Sequence, residues 1–110
     1  MREPIRVLHV DDQADFADLT ATALEREDDR LSVEAMTSGD EVLERLTDGI
    51  DCVVSDYDMP GRNGIEVLEA IRERYPDLPF ILFTGKGSEE VASEAISAGV
   101  TDYLEKEGGL

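Results

Sequence analysis

A chain of 110 residues with 41% hydrophobic content can bury one core but not two, so residues 1–110 read as one globular domain. Its 27 acids against 10 bases give a formal net charge of −17, a field that repels nucleic acid and anionic membranes and excludes both as partners of the domain itself. The apolar runs are strand-sized, too short for a transmembrane span or a signal-peptide core, and a cytoplasmic location is expected.

In chain order, Ile5 to Val10 is apolar and β-branched enough for a buried strand, and it ends at Asp11-Asp12. From Gln13 to Glu27, Phe16, Leu19, Ala23 and Leu24 recur at helical spacing, with Asp12 or Gln13 as the cap. Leu31 to Met36 alternates as a half-exposed edge strand does. Ser38-Gly39-Asp40 opens a helix with Val42, Leu43 and Leu46 inward, ended by Gly49. The run Cys52 to Val54 drives into Asp56 and is stopped by Pro60-Gly61, the pattern of a buried parallel strand. After the loop Gly61-Arg62-Asn63-Gly64, Ile65, Val67, Leu68 and Ile71 mark a helix that stops before Pro76. Pro79 to Phe83 is a fourth strand, ending at Thr84-Gly85. Ser88 starts a helix with Val91, Ala92, Ala95 and Ile96 inward, closed by Gly99, and Tyr103-Leu104 is a short fifth strand leading to Lys106.

This β-α alternation means a doubly wound parallel sheet with right-handed crossovers and helices on both faces. Even cover of both faces wants a fifth helix after Lys106. The sequence stops instead, so the chain is expected to be a fragment of a longer protein, with a face covered by a partner as the other option. Cys52 lies inside a strand and reads as a core thiol, and His9 as a half-buried structural residue. Gly85-Lys86-Gly87-Ser88 lacks the earlier glycine and the hydroxyl directly after lysine that a phosphate-binding loop needs, so no nucleotide site is expected.

Ligands of such sheets bind beyond the carboxyl ends of the strands. Those ends carry Asp11-Asp12, Asp56, Thr84 and Lys106 on one rim. Three carboxylates there repel one another unless a cation intervenes, and an all-oxygen donor set without His or Cys points to Mg²⁺. Carboxylate, Mg²⁺, lysine and hydroxyl together suit in-line phosphoryl transfer, with Asp56 as acceptor.

Asp11-Asp12 after the first strand, Asp56-Tyr57-Asp58-Met59-Pro60 with Gly64, Thr84 after the fourth strand, and Tyr103-Leu104-Glu105-Lys106 resemble the response-regulator receiver (CheY-like) domains of two-component signalling. The resemblance spans essentially the whole chain. It implies a five-stranded flavodoxin-like sheet of order 2-1-3-4-5, here with the fifth helix absent or truncated. It implies that Asp56 takes phosphate from a sensor histidine kinase, and that Asp11, Asp12, Asp56 and the backbone carbonyl of Asp58 hold Mg²⁺. Lys106 and Thr84 would contact the phosphoryl oxygens. Thr84 would then move and Tyr103 swing inward, altering a surface read by a downstream or covalently attached output domain; a homodimer is left open. Such a module is not an enzyme beyond promoting its own phosphorylation and dephosphorylation.

Two departures from the family pattern stand out. Glu107 replaces the usual proline after the lysine, and Gly85-Lys86-Gly87 follows the hydroxyl position where alanine is usual. Asp58 and Lys86 occupy positions that tune phosphate lifetime in the family, and their opposite charges would pair over the site. The bases are eight arginines with Lys86 and Lys106 only, and acid-rich, lysine-poor surfaces resemble proteins from cells that accumulate molar salt, so a halophilic archaeal source is expected. Two other functions stay open. A pseudo-receiver docking module would take no phosphate. A haloacid-dehalogenase-like phosphatase would use Asp56 and Asp58 as nucleophile and acid/base, but would leave Asp11-Asp12 unexplained and needs a longer chain with a cap.

Overall fold

Five apolar runs end in turn or polar residues, and each is a strand in the computed structural model, which describes residues 4–85 and 88–106. The elements are β1 (Ile5–Val10), α1 (Ala14–Glu27), β2 (Leu31–Met36), α2 (Gly39–Arg45), β3 (Cys52–Ser55), α3 (Gly64–Arg74), β4 (Phe80–Thr84), α4 (Glu89–Ser97) and β5 (Asp102–Glu105). All strands are parallel in the order β2-β1-β3-β4-β5, as expected. The chain changes direction of winding between β1 and β3, where a doubly wound sheet opens a crevice. Among the described residues no helix follows β5, and none is long and apolar enough to cross a membrane.

The helices start where side chains satisfy their free amides. The Ser38 hydroxyl accepts from Glu41 N–H, the Ser88 hydroxyl from Val91 N–H, and Asn63 with Glu66 forms a reciprocal capping box. Helix α1 departs from expectation. Gln13 sits at its cap position without a side-chain bond, and the carboxylate of Asp11 accepts the Gln13 N–H at 2.9 Å instead. This bond turns the chain from β1 into α1, and the side-chain cap expected of Asp12 or Gln13 is not formed.

The sheet is covered unevenly. Leu8, Val10, Val53, Phe80 and Leu82 point to one side and merge with Val42, Val67, Leu68, Ile71, Val91 and Ala95 of α2, α3 and α4 into the main core. Among the described residues the opposite side is met by α1 alone, through Ala17 and Ala21. There Val54, Ile81 and Phe83 are half-buried, and Leu104 is 46% exposed. Period-two alternation therefore separates fully buried from half-buried residues along β4.

Several helix faces differ from the sequence reading. Leu19 is 68% and Ile96 72% exposed, and Ala23 also faces out. The inward stripe of α1 is built on the small Ala17 and Ala21, which let the helix lie close to the sheet. That of α4 is set by Val91 and Ala95, and Ile96, one residue on, is rotated away. Helix α2 ends at Arg45, short of Gly49, with Leu46 buried just beyond it. His9 is fully buried, where half-burial was expected, because β1 lies inside the sheet, flanked by β2 and β3.

One side chain ties three segments together. Arg72 on α3 donates from Nε to the carbonyl of Gly99 at 2.9 Å, and from Nη1 to the carbonyls of Tyr75 (3.1 Å) and Leu78 (2.7 Å). Gly99, at φ +91°, turns the chain out of α4 in a conformation other residues adopt at a cost. Arg72→Met keeps the stem but abandons these carbonyls, and should lower unfolding free energy by about 1–3 kcal/mol in a urea titration.

Candidate functional site

Each rim residue is fixed by the backbone bond just past its own strand. The amide of Asp11 donates to Met36 O (3.0 Å), that of Asp56 to Val10 O (2.9 Å), and that of Lys106 to Thr84 O (3.0 Å). Strand geometry thus delivers these side chains to one edge, above the crevice between β1 and β3. Asp11, Asp12 and Asp56 can each place a carboxylate oxygen within 4.8 Å of the others. Asp11 is fully buried, Asp56 nearly so, and Asp12 exposed. An open cleft of about 390 Å³, lined by Asp12, Gln13, Asp56, Asp58, Gly85 and Lys106, gives access to them.

Lys106 crosses this cluster. Its Nζ lies 2.6 Å from Asp11 Oδ2 and 3.5 Å from Asp56 Oδ2. Asp56 Oδ1 accepts the N–H of Tyr57 at 2.8 Å, leaving its other oxygen toward the cleft side of the lysine. Within this cluster, three carboxylates against one ammonium leave a formal surplus of two negative charges. An all-oxygen donor set with that surplus fits a hard divalent cation such as Mg²⁺.

The loop after Asp56 closes tightly. Gly64 N–H donates to Tyr57 O at 2.8 Å. A Cβ at Gly64 would lie 2.7 Å from Leu82 Cδ1 and press against the carbonyl oxygen of Asp56. Only glycine lets α3 begin this close to the end of β3.

Thr84 is buried at the end of β4, on the side of the sheet that α3 and α4 cover. Tyr103 pairs with Leu82 and so lies on that same side, one step back from Thr84. The Tyr103 ring packs against the main core. Its hydroxyl is shielded from solvent, and the Ser88 backbone approaches without reaching hydrogen-bond geometry. Burial, reinforced by the Glu105 charge, raises the phenol pKa over the opposing pull of Ser88. Beneath the rim, His9 Nδ1 lies 3.2 Å from Val54 O. Burial lowers the imidazole pKa despite the nearby Asp11 charge, which keeps the ring neutral. Lys86 and Glu107, the two departures with expected consequences, fall outside the described residues.

Sequence reasoning missed one neighbour of the site. Phe16 was read only as part of the apolar stripe of α1, yet its ring centroid is 4.3 Å from Lys106 Nζ. The available signal was its place four residues after Asp12, one turn into a helix that starts at the rim.

The family model for the response regulator receiver domain matches residues 7–109. The chain belongs to the response regulator receiver domain family. Among relatives of this receiver domain, the response regulator SaeR of Staphylococcus aureus (strain USA300) is 35% identical over 100 residues, covering 91% of this chain and 43% of SaeR. The chain thus spans less than half the length of that relative. A response regulator receiver domain protein from Clostridium thermocellum superposes with a TM-score of 0.86 at 28% identity, over 93% of this chain and 82% of its own. TrrA from Thermotoga maritima, solved in complex with Mg²⁺-BeF, gives 0.82 at 29% identity, over 96% and 89%. Membership places the chain among two-component signalling modules.

Gly64→Ala in this receiver domain should cost about 1–3 kcal/mol on urea unfolding and shift the amide signals of Asp56 and Tyr57. Gly85→Ala, whose nearest neighbours to a new Cβ are 3.9 Å away, should stay within about 0.5 kcal/mol.

Proposed function

We propose that Asp56 is the phosphoryl acceptor of this receiver domain and that a sensor histidine kinase is the donor. The observation that carries the reading is the convergence of Asp56 with Asp11 and Asp12, with the Lys106 ammonium set between Asp11 and Asp56. An Asp56 carboxylate oxygen forms the new P–O bond as the P–N bond to the donor histidine breaks, and the electron pair leaves with the imidazole nitrogen. Asp11, Asp12, Asp56 and the Asp58 carbonyl would hold Mg²⁺, which supplies neutralisation of the charge spread over the phosphoryl oxygens. Lys106 adds a fixed positive charge beside the acceptor. Thr84 donates a hydroxyl to the product, and Asp58, with Lys86, tunes how fast water removes it.

The new group brings about −1.5 to −2 charge and three strong acceptor oxygens, judged from other phosphorylated side chains. Movement of Thr84 toward it, with Tyr103 following, would change the surface of α4 and β5. A differential affinity of about 1–3 kcal/mol between the two arrangements is enough to signal to an output domain, attached or separate. A cytoplasmic location suits this role. We further read the acidic, lysine-poor surface as adaptation to high salt, consistent with a halophilic source.

Intact mass after incubation with acetyl phosphate tests the acceptor. A Mg²⁺-dependent, base-labile phosphate adduct is expected, lost in Asp56→Ala and on removal of the metal by chelation. No adduct from the folded, Mg²⁺-binding domain would turn the assignment to a docking module, and an adduct persisting in Asp56→Ala would name the wrong aspartate. For the salt reading, the thermal midpoint should rise as KCl goes from about 0.1 M to about 1 M, where the screening length falls to about 3 Å. A flat midpoint would remove it.

A further inference from the structure

The Lys106 ammonium has an aromatic wall as well as an acidic one. Its Nζ lies 4.3 Å from the centroid of Phe16 and 5.6 Å from that of Phe83, within the range of cation–π attraction. The two rings stack on each other with centroids 6.4 Å apart and planes 29° from parallel. Phe16 comes from the first turns of α1 and Phe83 from the half-covered face of β4. On the other side of the ammonium stand Asp11 and Asp56. The lysine side chain is 20% exposed, so much of its charge is held away from water, where the ring quadrupole acts more strongly.

We infer that Phe16, backed by Phe83, is a positioning residue for Lys106: its ring holds the ammonium at the mouth of the site while the lysine changes anionic partners. Resting on the phosphoacceptor reading of Asp56, this role follows from a difference between the two walls. The bond to Asp11 is short and directional, and it ties Lys106 to an oxygen that a bound cation would claim. Attraction to a ring face is broad in angle. It persists while Nζ slides from Asp11 toward a phosphoryl group on Asp56, and it opposes escape of the side chain into solvent. The aromatic wall supplies direction from the opposite side.

Three measurements on the full chain test this. The Lys106 ε-methylene proton resonances should be shifted upfield by the rings, and should move toward ordinary lysine values in Phe16→Leu. The phosphorylation rate with acetyl phosphate at saturating Mg²⁺ should fall about three- to tenfold in Phe16→Leu and recover in Phe16→Trp. Mg²⁺ affinity by calorimetry should be unchanged in both. The proposal is overturned if Phe16→Leu reacts at the parent rate, if its loss merely tracks weakened Mg²⁺ binding, or if the tryptophan variant is no better than the leucine one. Unshifted Lys106 resonances in the parent chain overturn it whatever the variants do. A parent chain that takes no phosphate defeats the acceptor reading, and the ring shifts then decide the seating of Lys106 alone.

Discussion

Mutual repulsion among Asp11, Asp12 and Asp56 is the constraint around which the structure is arranged. Carboxylates within 4.8 Å of one another do not gather unless something rigid holds their backbones. Two adjacent parallel strands do so here, each anchored by a bond one rung past its end. Asp11 is wholly buried, so its charge needs compensation within the protein. It receives the Gln13 amide on one oxygen and the Lys106 ammonium on the other. The start of α1 and the residue just past β5 thus both meet one aspartate at the bottom of the site.

Neighbouring parts serve the same end. Gly64 allows α3 to begin against the Asp56 carbonyl, so the end of β3 is braced from the side opposite α1. Buried and neutral, His9 fills space under the rim without adding charge to it. Thr84 and Tyr103 lie in adjacent strands on one face, so a displacement of the first has a short packed route to the second.

Much of this was legible in the sequence. Strands announced themselves because each apolar run ended at a residue with chemistry, and alternation with helices then imposed a parallel sheet whose ends meet at one edge. The rim of Asp11, Asp12, Asp56, Thr84 and Lys106 follows from topology alone. Helix faces were harder to read. Leu19 and Ile96 are large and apolar, yet the buried stripes run through Ala17, Ala21 and Ala95, whose small size permits close approach and carries little hydrophobic signal. The turn by which Asp11 leads the chain into α1 was missed because it is made by a strand-end residue on the amide two positions on. Phe16 was missed because a ring near a lysine 90 residues later is a tertiary fact that no local pattern encodes.

The uneven cover of the sheet also bears on how such a chain can drift over generations. Along β4, Phe80 and Leu82 are buried, whereas among the described residues Ile81 and Phe83 meet only a partial layer. Changes of volume at the first pair disturb a filled interior, but at Ile81 there is room to absorb them. Phe83 shares that room and is held by a second demand, its stack against Phe16. Variation within this strand should therefore collect at alternate residues, and the aromatic one among them should resist it for electrostatic reasons that space alone would not supply.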